Sequence, residues 1–113
     1  MKIKDWLSFT PTPQITAQAL HKQLKEEHNN LFLLDVRSHT EWKLSHIPSS
    51  HSRSVFSVDL TKIPKDKTII CICLTAHRST PIVRELLRHG YNAYELHGGM
   101  RLWWKHDFPT EKS

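Results

Sequence analysis

The chain of 113 residues has room for one domain, large enough to bury a core without disulfide staples. Its hydrophobic content of 38% and charged content of 24% are ordinary for a soluble globular protein. The net charge of +5 arises from lysines and arginines spread along the chain, so we expect a basic surface that attracts small anions and no nucleic-acid partner.

The cysteines and the N-terminal segment bear on the compartment. Cys71 and Cys73 are two positions apart and cannot build a disulfide framework, which indicates an intracellular protein. Residues 1 to 13 lack the apolar part of a signal peptide, and no apolar run reaches the roughly 18 residues of a membrane span. The nine histidines show neither an HExxH motif nor a zinc-type spacing. We therefore expect a cytoplasmic protein with no membrane partner, metal site or cofactor.

The first third of the chain predicts a helix and a buried strand. Residues 1 to 14 contain two prolines and little periodicity, so we expect an irregular lead-in. A helix follows with Thr16 as its N-cap. Its apolar stripe consists of Ala19, Leu20 and Leu24. The apolar run at 31–35 predicts a strand whose carboxyl end carries two charged residues, Asp35 and Arg37.

Residues 38–41 have the S-x-x-E form of a capping box and predict a short helix that carries Trp42 and Leu44. Two roles are open for Glu41. Its carboxylate can cap this helix, or it can reach the cysteine-containing loop and orient Arg78. The capping role is favoured because the spacing is itself specific.

The second half of the chain contains a strand, a tight loop and a helix around which the rest is organised. Residues 68–73 are apolar and β-branched, which predicts a strand buried on both faces. A helix is predicted from Ser79 or Thr80 to His89, and Gly90 suits the left-handed position after it. The other predicted elements are a loop at 46–48, a weaker strand at 49–55, a helical turn within 56–63, a strand at 91–96, a break at Gly98-Gly99 and a helix at 100–106 with one inward-facing and one surface tryptophan.

Strands thus alternate with helices, which predicts an α/β fold with a doubly wound, mostly parallel sheet and helices on both faces. The strand at 68–73 should be central because it is the most uniformly apolar. The loop after it, 73–78, lies where α/β folds place their chemistry. The following helix N-terminus and Arg78 favour the thiolate of Cys73, which is the nucleophilic form. Cys71, within the strand, is interpreted as a small buried hydrophobe, since a resolving thiol there would need a strained ring or a moved strand.

Several segments, in this order and spacing, resemble a single-domain rhodanese, a sulfurtransferase, over residues 15–109, with 110–113 as a C-terminal tail. They are LLDVR (33–37), EW (41–42), HIP (46–48), Cys73 followed by RS (78–79), GG (98–99), Trp103 and FP (108–109). The resemblance implies a rhodanese-like, five-stranded doubly wound fold in which Cys73 carries a sulfane sulfur as a persulfide. Two departures fall in turns: SHIPSS replaces the usual GHIPGA, and Asp107, a residue that accepts a left-handed backbone, stands where glycine is common.

The loop from Cys73 to Arg78 spans six residues, as in the sulfur-transferring members of this family. Related cell-cycle phosphatases and arsenate reductases use a loop one residue longer, which admits a tetrahedral oxyanion. The loop amides are expected to form an anion-binding nest for the persulfide. The common pattern C-R-x-G-x-R is altered, since Leu74 replaces the first basic residue and Ala76 the glycine. Loss of that cation makes thiosulfate, a dianion, a less favoured donor.

The resemblance and the positions of the residues together imply the remaining site. The catalytic residues are Cys73 and Arg78. The residues expected to contact the donor are Leu74, Thr75, Ala76, His77 and Arg37, and those expected to support the loop are Asp35, Glu41 and Ser79. For His77, a solvated loop histidine is an equally open role.

The expected partners are small molecules. The donor would be thiosulfate, a persulfide or mercaptopyruvate, and the acceptor would be thiophilic, such as cyanide or a thiol, with a sulfur-accepting protein as a further option. A non-catalytic rhodanese-like module that binds a partner protein, or carries sulfur for one, is the alternative function.

Overall fold

The computed structural model describes residues 12–54, 58–75 and 78–113, and within them the chain forms five strands and four α-helices. The strands are β1 (Gln14–Ile15), β2 (Leu31–Asp35), β3 (His51–Ser52), β4 (Thr68–Ile72) and β5 (Asn92–Leu96). The helices are α1 (Ala17–Glu27), α2 (His39–Leu44), α3 (Thr80–Arg88) and α4 (Gly99–Lys105), with 3₁₀ turns at His28–Asn30 and Leu60–Lys62.

All five strands run parallel in one sheet, in the order β1-β5-β4-β2-β3. The apolar, β-branched β4 lies in the middle and pairs along its whole length with β2. On its other side β4 pairs with β5, where Cys71 is opposite Glu95. This arrangement confirms the predicted parallel α/β fold and the central position of this strand. Since parallel strands end at one edge, the loop after β4 lies between the ends of β2 and β5.

Each face of the sheet packs against helices, as the α/β prediction required. On one face, α1 and α4 cover a core that includes Leu20, Leu33, Ile70, Ile72, Met100 and Trp103. On the other face, α3 covers a core that includes Leu34, Ile69, Cys71, Val83, Leu86 and Ala93. Alternate residues of β4 therefore point to opposite cores, which explains why the whole strand is apolar.

The predicted helix ends are confirmed by their hydrogen bonds and dihedral angles. Thr16 Oγ1 accepts from the Ala19 N–H at 3.1 Å and caps α1. Gly90, just after α3, has a φ of 83°, which a side chain would make unfavourable. Of the two tryptophans of α4, Trp103 is buried and Trp104 is 41% exposed, in agreement with the expectation of one inward and one surface indole.

The described helices are short. The longest, α1, has 11 residues, whereas a bilayer core needs about 20 residues of helix. Among the helices of residues 12–54, 58–75 and 78–113, none combines the length and apolarity needed to cross a membrane.

Two edge strands and one turn differ in extent from the predictions. The predicted lead-in ends in β1, whose two residues pair with β5 and are too few to show alternation in the sequence. The strand predicted at 49–55 is reduced to β3. It starts later than predicted because Ser49 has a left-handed φ of 74°, which an extended strand excludes, and it ends at Ser52. The helical turn predicted within 56–63 is the 3₁₀ turn at Leu60–Lys62, while residues 55–57 lie outside the described ranges.

The segment predicted as a C-terminal tail contacts the loop after α2. Glu111 forms an antiparallel bridge with His46, through N–H···O bonds of 3.0 and 2.9 Å. Asp107 turns the chain toward this bridge with a φ of 56°, as expected for an aspartate in a position that favours glycine. The indole N–H of Trp103 donates to the carbonyl of Pro109 at 2.9 Å and holds the same segment.

Candidate active site

The loop that follows β4 begins with Cys73, whose side chain lies in the α3-side core and is 1% exposed. The helix α4 closes against the start of this loop. The N–H of Met100 donates to the carbonyl of Cys73 at 2.8 Å, and the N–H of Arg101 to that of Leu74 at 3.1 Å. A Cβ at Gly99 would lie 2.3 Å from the Cys73 carbonyl oxygen, so only glycine permits this approach. The GG segment thus positions the backbone of the candidate nucleophile.

Cys73 contacts a buried serine at the start of α3. Its sulfur donates to the Oγ of Ser79 at 3.6 Å, and Ser79 is fully buried. The Ser79 hydroxyl in turn donates to a carboxylate oxygen of Glu95 at 3.0 Å. The predicted supporting residue Ser79 is therefore adjacent to the sulfur, and it connects Cys73 to a carboxylate that sequence reasoning missed.

Glu95 could have been found from the alternation of β5. Residues two apart in a strand share a face, and Ala93 points to the α3-side core, so Glu95 is directed to the same interior. An acidic side chain at such a position is unusual enough to be a signal. Its exposed fraction of 3% shows that it is buried.

Arg78 and Glu41 form a two-pronged ion pair at the mouth of the loop. The guanidinium donates to the two carboxylate oxygens at 2.8 and 3.0 Å. The same carboxylate accepts from the Ser38 N–H at 3.1 Å, and Ser38 Oγ accepts from the Glu41 N–H, which completes the predicted capping box. Both roles that were open for Glu41 are present together, because a carboxylate has enough lone pairs for the cap and for the arginine.

The charges of this pair are mutually stabilised. Hydrogen bonding to Arg78 is the largest cause that lowers the pKa of Glu41 to about 2, against the opposing effect of burial. The pKa of Arg78 is raised, mainly by hydrogen bonding to Glu41 and further by the negative charges of Glu41, Cys73 and Asp35. Arg78 is thus a permanent cation held near the cysteine.

Arg37 lies in a buried ion pair with Asp35. Its guanidinium donates to both carboxylate oxygens of Asp35, at 2.8 to 3.2 Å, and to the carbonyl of Ser45 at 2.7 Å. Arg37 is 1% exposed and Asp35 is fully buried. This geometry ties the end of β2 to the end of α2, so it suits a supporting role for both residues better than the donor contact expected for Arg37.

Of the residues expected to contact the donor, Leu74 and Thr75 are half-buried, and Ala76 and His77 lie outside the described residues. Thr75 borders a surface cavity of about 320 Å³ whose other lining residues include Arg101 and Lys105 of α4. A more apolar cavity of about 270 Å³ near Trp103 contains none of the loop residues. Within the described ranges, no three His, Cys, Asp or Glu side chains are grouped as metal ligands.

Cys71 is fully buried in β4, in agreement with its interpretation as a core residue. Burial is the main cause that raises the pKa of its thiol far above the usual value, and the negative charges of Glu95 and Cys73 raise it further. A thiol in this state is a poor nucleophile. Both cysteines are buried on the α3 side of the sheet, but Cys73 begins the loop and contacts Ser79, whereas Cys71 lies within β4.

We expect the charge on Glu41 to stabilise the fold at neutral pH and not in acid. Glutamine keeps the capping contacts of Glu41 but loses the charge. The free energy of unfolding of Glu41→Gln should therefore be lower than that of wild type by about 1 kcal/mol at neutral pH, since the pair is about one-third exposed and screened. The lowered pKa makes this difference disappear as the pH falls from 4.5 to about 2. Urea unfolding of both proteins across this range measures it, and a difference independent of pH would contradict the ion-pair assignment.

Comparison with known proteins agrees with this geometry. The family model of the rhodanese-like domain matches residues 16–106. A tRNA sulfurtransferase of Desulfurococcus amylolyticus is 29% identical over 92 residues, which cover 81% of this chain and 19% of that protein. A sulfurtransferase of Allochromatium vinosum is 26% identical over 99 residues, which cover 85% of this chain and 92% of that protein. The chain thus spans about a fifth of the first relative and nearly all of the second.

The solved structures show the same fold. A rhodanese-related protein from Thermoplasma volcanium superposes with a TM-score of 0.82 at 24% sequence identity, and the match covers 89% of this chain and 99% of that one. Its parallel α/β architecture is the one described above. Because the family model also matches most of the chain, and because named sulfurtransferases are among its relatives, the chain belongs to the rhodanese-like domain family.

Proposed function

We propose that the chain is a sulfurtransferase that carries a sulfane sulfur on Cys73 as a persulfide. The observation that carries this proposal is the placement of Cys73 at the carboxyl edge of the central strand, in contact with Ser79 and close to the paired cation Arg78. A cysteine near a fixed positive charge is favoured as the nucleophilic thiolate. A reactive thiol of this kind also suits the reducing cytoplasm, which is the location we propose.

The proposed cycle has two displacements at sulfur. In the first, the Cys73 thiolate attacks the outer sulfur of the donor; the new S–S bond forms as the donor's bond to that sulfur breaks, and the leaving group departs with the electron pair. In the second, a thiophilic acceptor such as a thiol or cyanide attacks the outer sulfur of the persulfide and releases the Cys73 thiolate. Neither displacement needs an external oxidant or reductant.

The protein contributes fixed charge to both displacements. Negative charge is present on Cys73 before attack and on the sulfur atoms during transfer. Arg78 cannot swing away from the loop without breaking two charge-assisted hydrogen bonds to Glu41. Charge that is fixed in advance lowers a barrier more effectively than mobile charge, because no reorganisation is needed during the reaction.

The loop residue Leu74 bears on the choice of donor. A leucine beside the nucleophile provides no charge for the dianion thiosulfate. We therefore propose a low-molecular-weight organic persulfide as a better donor than thiosulfate. Mass spectrometry of the Cys73 peptide after incubation with each donor tests the proposal, since a bound persulfide adds one sulfur atom.

Leu74→Arg should raise kcat/KM for thiosulfate and leave it unchanged or lower for an organic persulfide. A charge a few ångströms from the reacting sulfur is worth roughly 1–4 kcal/mol, and solvent screening favours the lower end of this range. We expect a gain of about tenfold for thiosulfate. Leu74→Met, which changes shape without adding charge, is the matched control.

This comparison is best made at low and moderate ionic strength. An electrostatic gain at an accessible mouth shrinks as salt is added. Equal improvement for both donors, independent of salt, would show that residue 74 acts through the shape of the loop. No improvement for either donor would favour the second candidate function.

The second candidate is a non-catalytic module that binds a partner protein or carries sulfur for one. The altered loop, with Leu74 and Ala76 in place of the usual basic residue and glycine, is the observation that favours it. The tRNA sulfurtransferase relative, of which this chain spans 19%, is a larger protein in which the matching part is one portion. The module would show no turnover with any small-molecule donor and acceptor pair.

A further inference from the structure

Glu95 is a buried carboxylate surrounded by neutral hydrogen-bond donors. Its Oε1 accepts from Thr12 Oγ1 at 3.2 Å and from Gln14 Nε2, and its Oε2 accepts from Ser79 Oγ at 3.0 Å and from Thr80 Oγ1. Glu95 is 3% exposed, and it has no ion pair with any cation of the described residues. Burying a carboxylate away from a cation is costly even when it is hydrogen-bonded, so its position next to the candidate site calls for a functional reason.

The direction of the hydrogen bonds connects Glu95 to Cys73. A serine hydroxyl has one proton, and that of Ser79 is donated to Glu95. The Ser79 oxygen is then an acceptor toward Cys73, whose thiol donates to it at 3.6 Å. Three groups thus form one chain of hydrogen bonds, in which the Cys73 thiol donates to the Ser79 hydroxyl and the Ser79 hydroxyl donates to the Glu95 carboxylate.

We propose that Glu95 is a positioning residue that takes up, through the hydroxyl of Ser79, the proton that Cys73 loses when it becomes a nucleophile. The inference rests on the proposed function, in which the Cys73 thiolate attacks the sulfur donor. It adds to that function a buried proton acceptor on a neighbouring strand.

The transfer balances without any other reactant. The Cys73 proton moves to the Ser79 oxygen, the Ser79 hydroxyl proton moves to Glu95 Oε2, and the electron pair of the broken S–H bond stays on sulfur. Afterwards the Glu95 acid donates to Ser79, and Ser79 donates to the thiolate. Every group of the chain keeps a hydrogen bond, because the direction of both bonds reverses together. When the acceptor removes the sulfur, the same path returns the proton.

Burial is the physical reason for such a path. Cys73 is 1% exposed, so its sulfur has little direct access to water as a proton acceptor. Negative charges on Cys73 and Glu95, which both contact Ser79, would oppose each other. A proton that leaves Cys73 is therefore favoured on Glu95. The transfer moves the net charge from Glu95 to Cys73, whose negative charge interacts favourably with Arg78.

The other titratable groups around Glu95 do not supply this function. Cys71, opposite Glu95 on β4, has a pKa raised far above its usual value by burial and by the Glu95 charge, so it stays protonated. Arg84 follows Thr80 by one turn of α3, and no ion pair joins it to Glu95. The segment of Thr12 and Gln14 contributes uncharged donors only.

The test is the pH dependence of Cys73 alkylation by iodoacetamide, followed by mass spectrometry of the Cys73 peptide in the full chain. This reaction needs the thiolate but no sulfur donor. In Glu95→Gln, which keeps the size of the side chain but cannot take up the proton, we expect the rate at neutral pH to fall by about 100-fold. The deficit should narrow as the pH rises and hydroxide takes over. Glu95→Asp should recover part of the rate.

Ser79→Ala interrupts the path between Cys73 and Glu95. It should also lower the alkylation rate at neutral pH and move the pH profile of alkylation to higher pH. The double variant should be no worse than the more impaired single variant, because both remove one path. Thr12→Val is the matched control, since it removes a donor to Oε1 and leaves the link between Oε2 and Ser79 intact. Thermal unfolding of each variant identifies any that do not fold. If Glu95→Gln does not fold, the pH profile of Ser79→Ala tests the inference in its place.

Two outcomes would overturn the inference. Faster alkylation of Glu95→Gln at every pH would show that Glu95 acts only as a negative charge opposed to the thiolate. An alkylation rate of Glu95→Gln that is lowered equally at every pH, or is unchanged, would show that Glu95 has at most a structural role. Failure of the proposed function is a separate result, because a shifted alkylation profile in a protein that forms no persulfide with any donor would support the proton path without sulfur transfer.

Discussion

Cys73→Ser is expected to abolish sulfur transfer, whereas Cys71→Ser should keep most of it. Serine cannot hold a sulfane sulfur as a persulfide. Cys73 is the cysteine that begins the loop, contacts Ser79 and interacts with the charge of Arg78. Cys71 is fully buried between β2 and β5, and this burial raises the pKa of its thiol far above the usual value. A thiosulfate:cyanide assay, repeated with an organic persulfide as donor, measures the effect on both variants.

The control for this comparison is stability. A hydroxyl placed at the buried position 71 can cost about 1–3 kcal/mol if it finds no partner, so Cys71→Ala should be assayed beside Cys71→Ser. Both should retain the sulfur-loaded form of the Cys73 peptide by mass spectrometry. If the Cys71 variants were inactive and Cys73→Ser were active, the nucleophile would be Cys71 and not Cys73.

Arg78→Ala should lower the rate of persulfide formation by about 100-fold, which corresponds to on the order of 3 kcal/mol of barrier. The cause is the loss of the fixed cation that favours negative charge on Cys73. Arg78→Lys should lose less, because it keeps the charge, but it should not match wild type, since lysine cannot form the two-pronged pair with Glu41. Single-turnover loading of Cys73 with a sulfur donor measures this step.

A matched control for Arg78→Ala is Arg88→Ala. Arg88 forms an ion pair with Glu85 at 2.9 Å and is about as exposed as Arg78, at 37% against 38%, but it lies at the far end of α3. Its removal should leave loading unchanged. Wild-type rates in Arg78→Ala would mean that the loop backbone alone stabilises the anion.

The parts of the fold that could be predicted are those with local signals. The apolar run of β4, the Thr16 cap, the capping box of Ser38 and Glu41, and Gly90 after α3 each depend on residues within a few positions of one another. Hydrophobic periodicity and capping act over that range, so these elements are visible in a single sequence. The loop cysteine is predicted for the same reason, from its place between a strand and a helix.

Weak or absent local signals explain the parts that differ. β1 has two residues and exists only through its pairing with β5. Ser49 adopts a left-handed conformation although it is not a glycine, so the sequence does not show that the strand expected there starts later. Ala76 and His77 remain predictions, since they lie outside the described residues.

The chemistry around Cys73 depends on contacts between distant parts of the chain. Ser79 and Glu95 are 16 positions apart, Arg78 and Glu41 are 37 apart, and each pair meets because parallel strands end at one edge of the sheet. Local patterns specify which residues are apolar, capped or extended, and they thereby predict the candidate nucleophile and the order of strands and helices. They do not specify which polar side chains face each other across strands, because that depends on register, burial and the packing of α3 and α4 over the sheet. The buried Glu95, the interior pairing of Arg37 and the double role of Glu41 are therefore properties of the folded molecule.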